Sequence, residues 1–100
     1  MRIFEEKDIF ECLNSEEIPR GWRIRFVDPL GNDILGVLKK HNIQLDKFHI
    51  MQVKEKYGEL RVYYTADDGD GDFFNDMDDA IEKYTMLSHT ICMACGANID

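Results

Sequence analysis

One hundred residues with 44% apolar content suit a single domain with one core. A formal net charge of -8 argues against unaided binding to nucleic acid or an anionic membrane, and favours basic partners. The charged start Met1-Arg2-Ile3-Phe4-Glu5-Glu6-Lys7-Asp8 lacks the apolar core of a signal peptide, and no apolar run is long enough to span a bilayer. The expectation is therefore a cytoplasmic protein whose three cysteines are thiols or metal ligands rather than a disulfide framework.

In chain order, Glu5–Leu13 reads as a short helix with Phe4, Ile9, Phe10 and Leu13 apolar, ended by Asn14-Ser15 and the following Pro19 and Gly21. Trp22-Arg23-Ile24-Arg25-Phe26 alternates apolar and basic residues, the pattern of a strand, although a helical turn fits the same stretch. Asp28-Pro29 reads as a helix start, an N-cap acceptor followed by proline at the first helical position. Leu30, Ile34, Val37 and Leu38 would form its buried stripe, and Lys39, Lys40 and His41 suit its C-terminal dipole. Asn42–Lys47 reads as a loop.

The stretch Phe48–Thr65 is the centre of the predicted fold. Two runs rich in β-branched and aromatic residues flank Glu55-Lys56-Tyr57-Gly58-Glu59, and Gly58 can take the positive φ that a short, bulged hairpin loop requires. On the second run Leu60, Val62 and Tyr64 alternate with Arg61 and Tyr63, so one face is apolar and the other amphipathic. A lone hairpin is marginal in water, so the other segments must cover its apolar face. From Phe73 to Ser88 the residues Phe73, Met77, Ala80, Ile81, Tyr84 and Leu87 recur at helical spacing. The fold class expected is α+β: one domain over 1–100, a central antiparallel hairpin packed by two or three helices, and a C-terminal Cys-x-x-Cys knuckle.

Gly21-Trp22, the segment Gln52-Val53-Lys54-Glu55-Lys56-Tyr57-Gly58-Glu59-Leu60-Arg61-Val62-Tyr63-Tyr64 and Cys92-Met93-Ala94-Cys95-Gly96 carry a resemblance. Together they resemble a set of small, largely uncharacterised bacterial and bacteriophage proteins with a Gly-Trp-led helix, a "QVKEKFG-LRFYY"-like hairpin, a helix and a Cys-x-x-Cys-Gly knuckle. The resemblance spans residues 21–97 and implies a fold and a phage-like origin, but no activity. The family pattern continues into a second Cys/His pair, which residues 96–100 do not contain.

Cys-x-x-Cys-Gly lets two thiolates reach one cation while the glycine permits the tight turn behind them, as in structural zinc sites. His89 stands three residues before Cys92, and Cys12, His41 and His49 are further candidates. The expected zinc site is Cys92, Cys95, Cys12 and His89; the plainer alternative is reduced thiols, with Cys12 in the core. Redox use of the pair lacks the βαβ context it usually has.

Charge is unevenly spread. Residues 1–19 carry net −4, residues 20–61 net +4, and residues 62–100 net −8, with Lys83 the one cation of that last segment. Its acids Asp67, Asp68, Asp70, Asp72, Asp76, Asp78 and Asp79 lie in one loop and the first turns of one helix. Asp68, Asp70, Asp72, Asp76 and Asp79 fall on calcium-loop spacings, but Phe73 occupies the glycine position and the last ligand is not glutamate. A solvated loop entering a helix is the bland reading. The sharper one is an anionic surface that imitates phosphates and occupies a basic groove on another protein.

No Gly-rich phosphate loop and no nucleophile–base spacing is present, so an enzyme is not expected. Trp22, Tyr57, Tyr63 and Tyr64 read as core and face residues rather than a stacking platform. The first functional expectation is an acidic, phage-derived binding protein that inhibits a nucleic-acid-handling host defence system, such as a CRISPR effector, in the bacterial cytoplasm. The alternative is a zinc-stabilised module whose basic hairpin face, Lys54, Lys56 and Arg61, contacts nucleic acid or another protein.

Overall fold

The computed structural model describes residues 5–99. Its elements are α1 (Glu6–Leu13), α2 (Arg20–Lys40), a single 3-10 turn (Leu45–Lys47), β1 (Phe48–Lys56), β2 (Glu59–Ala66) and α3 (Gly71–Ser88). β1 and β2 pair antiparallel as a two-stranded sheet; α2 packs on α1 and α3, and α3 runs beside β2. The α+β class expected from the hairpin and the two longer amphipathic segments is the observed one. The radius of gyration, 13.4 Å, is that of one globule of this length, about 13 Å.

The first helix is as expected within one residue, although Phe4 lies outside the described residues. The second is not. Trp22–Phe26 is no strand, and Asp28-Pro29 starts no helix: both lie inside the 21-residue α2. The alternation misleads because Ile24 is solvent-exposed, so only Trp22 and Phe26 of that stretch face inward. They continue into Leu30, Ile34 and Leu38 at four-residue intervals, one stripe buried from end to end. Pro29 removes the donor that would bond the Arg25 carbonyl, but both residues are exposed, where water can serve that carbonyl. Burial of five large side chains outweighs one missing helical bond. Val37 is only half-buried, while Leu35 is buried.

The hairpin turn is tighter than expected. Tyr57 (φ 55°) and Gly58 (φ 79°) are both left-handed, a two-residue turn whose twist suits the flanking strands. The irregularity lies instead at Met51, between Ile50 and Gln52, and it resets the alternation. Phe48 and Ile50 point inward before it and Val53 after it, so the pairs Ile50–Tyr64 and Val53–Val62 share the core face while Met51 is exposed. β2's outer edge is served by α3. The Thr85 hydroxyl donates to the Leu60 carbonyl at 2.9 Å, and the Leu60 N–H donates to Ser88 Oγ at 3.0 Å.

α3 begins two residues earlier than its apolar pattern suggests, because the Asp70 carboxylate accepts the Phe73 N–H at 2.9 Å and caps it. Phe73, Met77, Ile81 and Tyr84 are buried against α2 and β2, but Leu87 is exposed. Trp22, Phe26 and Tyr84 form a chain of tilted and edge-to-face rings through the core.

Candidate functional site: the Cys92–Cys95 turn and the acidic face of α3

Two surfaces collect the residues with chemistry, and α2 has one at each end. At its N-terminus residues 90–99 fold back into a tight turn. The Cys92 N–H donates to the Ala97 carbonyl (2.7 Å), the Ile99 N–H to Thr90 (2.7 Å) and the Gly96 N–H to Cys92 (2.9 Å), with Gly96 at φ 83°. α2 has no side-chain cap, and the turn supplies one: the Gly21 N–H donates to the Met93 carbonyl at 2.7 Å. Trp22 Nε1 donates to the Ile91 carbonyl (3.0 Å) and Arg25 Nη1 to the Gly96 carbonyl (2.6 Å). A Cβ on Gly21 would collide with the Cys92 carbonyl and stand 2.5 Å from the Gly96 nitrogen and 2.7 Å from the Met93 oxygen. Gly21-Trp22 and Cys-x-x-Cys-Gly, two separated motifs in the sequence, are thus one contact.

The backbone amides of Cys95 and Ala94, and after them the Cys95 thiol, hold the Cys92 thiol below its ordinary pKa against a smaller opposing effect of burial. Cys92 is half-buried and Cys95 exposed. A thiolate-stabilising pocket beside a second thiol is a donor set suited to a thiophilic cation. The other two ligands expected for zinc are placed elsewhere. Cys12 lines a groove with Ser15, Ile50 and Gln52 of the α1–β1 side, and His89 Nε2 lies 3.1 Å from Glu59 Oε1. Among the described residues no three His, Cys, Asp or Glu side chains come together in a group fit to hold a metal ion.

At the other end of α2, Lys40 and His41 meet the acidic run. Asp76 accepts from Lys40 Nζ at 2.9 Å and lies 2.7 Å from His41 Nε2, whose ring stands edge-on to Phe73. The His41 contact first and the Lys40 contact second lower the Asp76 carboxyl below its usual range. Asp70 caps α3, and Asp78 accepts the Tyr64 hydroxyl at 2.7 Å. Burial, then the bond to Asp78, pushes the Tyr64 phenol well above its usual range; Tyr84, which donates to Asp33 at 2.6 Å, is pushed up in the same way.

Three of the seven acids singled out from the sequence therefore serve the fold. The carboxylates of Asp67, Asp68, Asp72 and Asp79 have no side-chain or backbone partner among the described residues, and all four residues are exposed. At 100° per residue, Asp72, Asp79 and Glu82 lie within about 80° of one another on α3, opposite Phe73, Met77 and Ile81. Glu82 was missed in the sequence, although its place three residues after Asp79 on the polar face is legible there.

On the hairpin's outer face Lys54 lies over the Tyr63 ring at 5.5 Å and Lys56 over Tyr57 at 5.6 Å. Arg61 is engaged by Glu59 at 2.7 Å, so that face is less basic than its residue count suggests. No helix among the described residues is long and apolar enough to cross a membrane. In comparisons with known proteins, no family model, curated protein or solved structure matches the chain.

Proposed function

We propose that this chain is a small acidic binding protein, without catalytic activity, that docks on a basic surface of another protein through the outer face of α3 and the loop before it. The observation that carries this reading is the division among the acids. Asp70, Asp76 and Asp78 are consumed by a cap, an ion pair and a phenol. Asp67, Asp68, Asp72, Asp79 and Glu82 stand on the solvent side, where folding gains nothing from their repulsion. Such a surface speeds association with a cationic cleft and imitates the phosphates that cleft ordinarily holds. On the resemblance of the Gly-Trp, hairpin and Cys-x-x-Cys-Gly segments to bacteriophage proteins, the partner class is a nucleic-acid-handling defence complex of the bacterial cytoplasm, CRISPR effectors included.

The test is capture of a binding partner from bacterial lysate on the immobilised protein at low salt. The expected partner is released by added salt and displaced by DNA or RNA; binding insensitive to both contradicts the reading. A second reading is favoured by the interleaved Lys54–Tyr63 and Lys56–Tyr57 contacts: direct nucleic-acid binding by the hairpin face. Retention of the isolated protein on single-stranded DNA, lost on Lys54→Ala with Lys56→Ala, would favour it.

A further inference from the structure

Neither the acidic face of α3 nor the basic hairpin face takes in the outer edge of β2. A two-stranded sheet has two edges, and each exposes main-chain groups that a further strand can pair with. β1's edge is blunted by the Met51 bulge and flanked by Lys54 and Lys56, devices that discourage pairing. From Leu60 to Ala66, β2 has no bulge and no proline, and its one charged side chain, Arg61, is held by Glu59 at 2.7 Å. α3 closes this edge at Leu60, whose N–H and C=O are taken by Ser88 and Thr85. Val62 and Tyr64 repeat Leu60's orientation at two-residue intervals, so their N–H and C=O point to the same edge. None of those four groups has a partner among the described residues.

Beside them an open groove of about 320 Å³ lies between β2 and α3, with Val62, Tyr64 and Ile81 in its lining. Three carboxylates of the same lining, Glu59, Asp78 and Glu82, stand against one guanidinium, that of Arg61. That sign repels nucleic acid. It also opposes a second copy of the chain, because a two-fold pairing of β2 with β2 would bring like carboxylates together.

We infer that the Val62–Tyr64 edge takes up an extended, lysine- or arginine-bearing segment of another protein as a third strand. The main chain of that segment pairs with Val62 and Tyr64, and its cationic side chains meet Asp78 and Glu82 across the groove. The site does not depend on the outer face of α3: Asp72, Asp79 and the loop before α3 are not in its lining, and only Glu82 is shared.

Amide hydrogen exchange of the full-length protein, alone and with a synthetic peptide of alternating valine and lysine, tests this. In the free protein the Val62 and Tyr64 amides should exchange much faster than that of Arg61, which faces β1. The peptide should slow exchange at Val62 and Tyr64, and Glu82→Gln should weaken its binding severalfold. The same peptide N-methylated along its backbone keeps the charges but cannot complete the ladder, and it should not bind. Slow exchange at both amides in the free protein, no binding of the unmodified peptide, equal binding of the N-methylated one, or self-association that protects the same amides would each overturn the proposal. Asp72→Asn with Asp79→Asn should leave peptide binding unchanged while slowing association through the outer face of α3, so the two surfaces fail separately. Loss of peptide binding in that double variant would put the peptide on the outer face and overturn the edge assignment.

Discussion

The two ends of α2 hold their neighbours by different physics. At the N-terminus the Gly21 N–H, the Trp22 indole and the Arg25 guanidinium all donate to backbone carbonyls of residues 91–96, around a glycine close enough that no side chain fits. At the C-terminus the contact with α3 is made by polar side chains, Lys40 and His41 on the Asp76 carboxylate, at a partly exposed site. The first tolerates no added atom at Gly21 and pairs no opposite charges, so it depends little on salt. The second tolerates substitution but answers to salt and pH. The acidic run is therefore not one surface: Asp76 belongs to this contact, Asp70 and Asp78 to a helix cap and a phenol, and the outer members face solvent.

The steric end should be the more fragile. Gly21→Val must drive backbone atoms of Cys92, Met93 and Gly96 apart, and overpacking of this kind costs roughly 1–3 kcal/mol. Chemical denaturation should show a loss near the upper end of that range, undiminished by salt, with Cys95 more reactive toward thiol reagents. A parent-like midpoint would mean that the turn does not rest on α2.

The hairpin turn provides an intermediate case that touches neither end. Nothing lies within 4 Å of a Cβ built on Gly58, so Gly58→Val pays only for its positive φ, about 1–2 kcal/mol. A smaller loss than that of Gly21→Val, by equilibrium unfolding, separates backbone strain from collision.

The electrostatic end should give the smallest effect, recognisable by its dependence on conditions. Asp76 has its carboxyl pKa lowered by His41 and Lys40, so the unfolded chain binds that proton more readily than the folded one. The contribution is present above the ordinary carboxylate pKa of about 4 and is lost as pH falls through the lower folded value. Asp76→Asn should narrow the gap between low-salt and high-salt melting temperatures at neutral pH, and the difference from the parent should vanish in acid. An equal difference at every pH would place the effect in packing rather than charge.

Elements whose burial follows a single local period were legible in the sequence. α1, the hairpin and α3 carry their own periodicity and punctuation, and they were found. α2 was divided wrongly because Ile24 and Pro29 are local exceptions on the exposed side of a stripe set by tertiary burial. The Met51 bulge left no punctuating glycine or proline to read. Gly21-Trp22 and the cysteine pair share one resemblance, but a contact between residues 21 and 96 has no one-dimensional signal. Among the acids, Asp70 is read with the partner-binding run although it caps α3, and the partners of Asp76 and Asp78 depend on how α2 and β2 dock against α3.

The most direct measurement compares two triple variants of equal charge: Asp72→Asn, Asp79→Asn, Glu82→Gln against Asp70→Asn, Asp76→Asn, Asp78→Asn. Each removes three negative charges, so any difference in the association rate with the captured basic partner at low salt reports position rather than net charge. The account predicts that the outer-face triple associates roughly tenfold or more slowly with melting unchanged, while the inner triple melts earlier but associates nearly as fast as the parent. Equal slowing in both would reduce the effect to net charge, and parent-like association by the outer triple would contradict the assignment of this face.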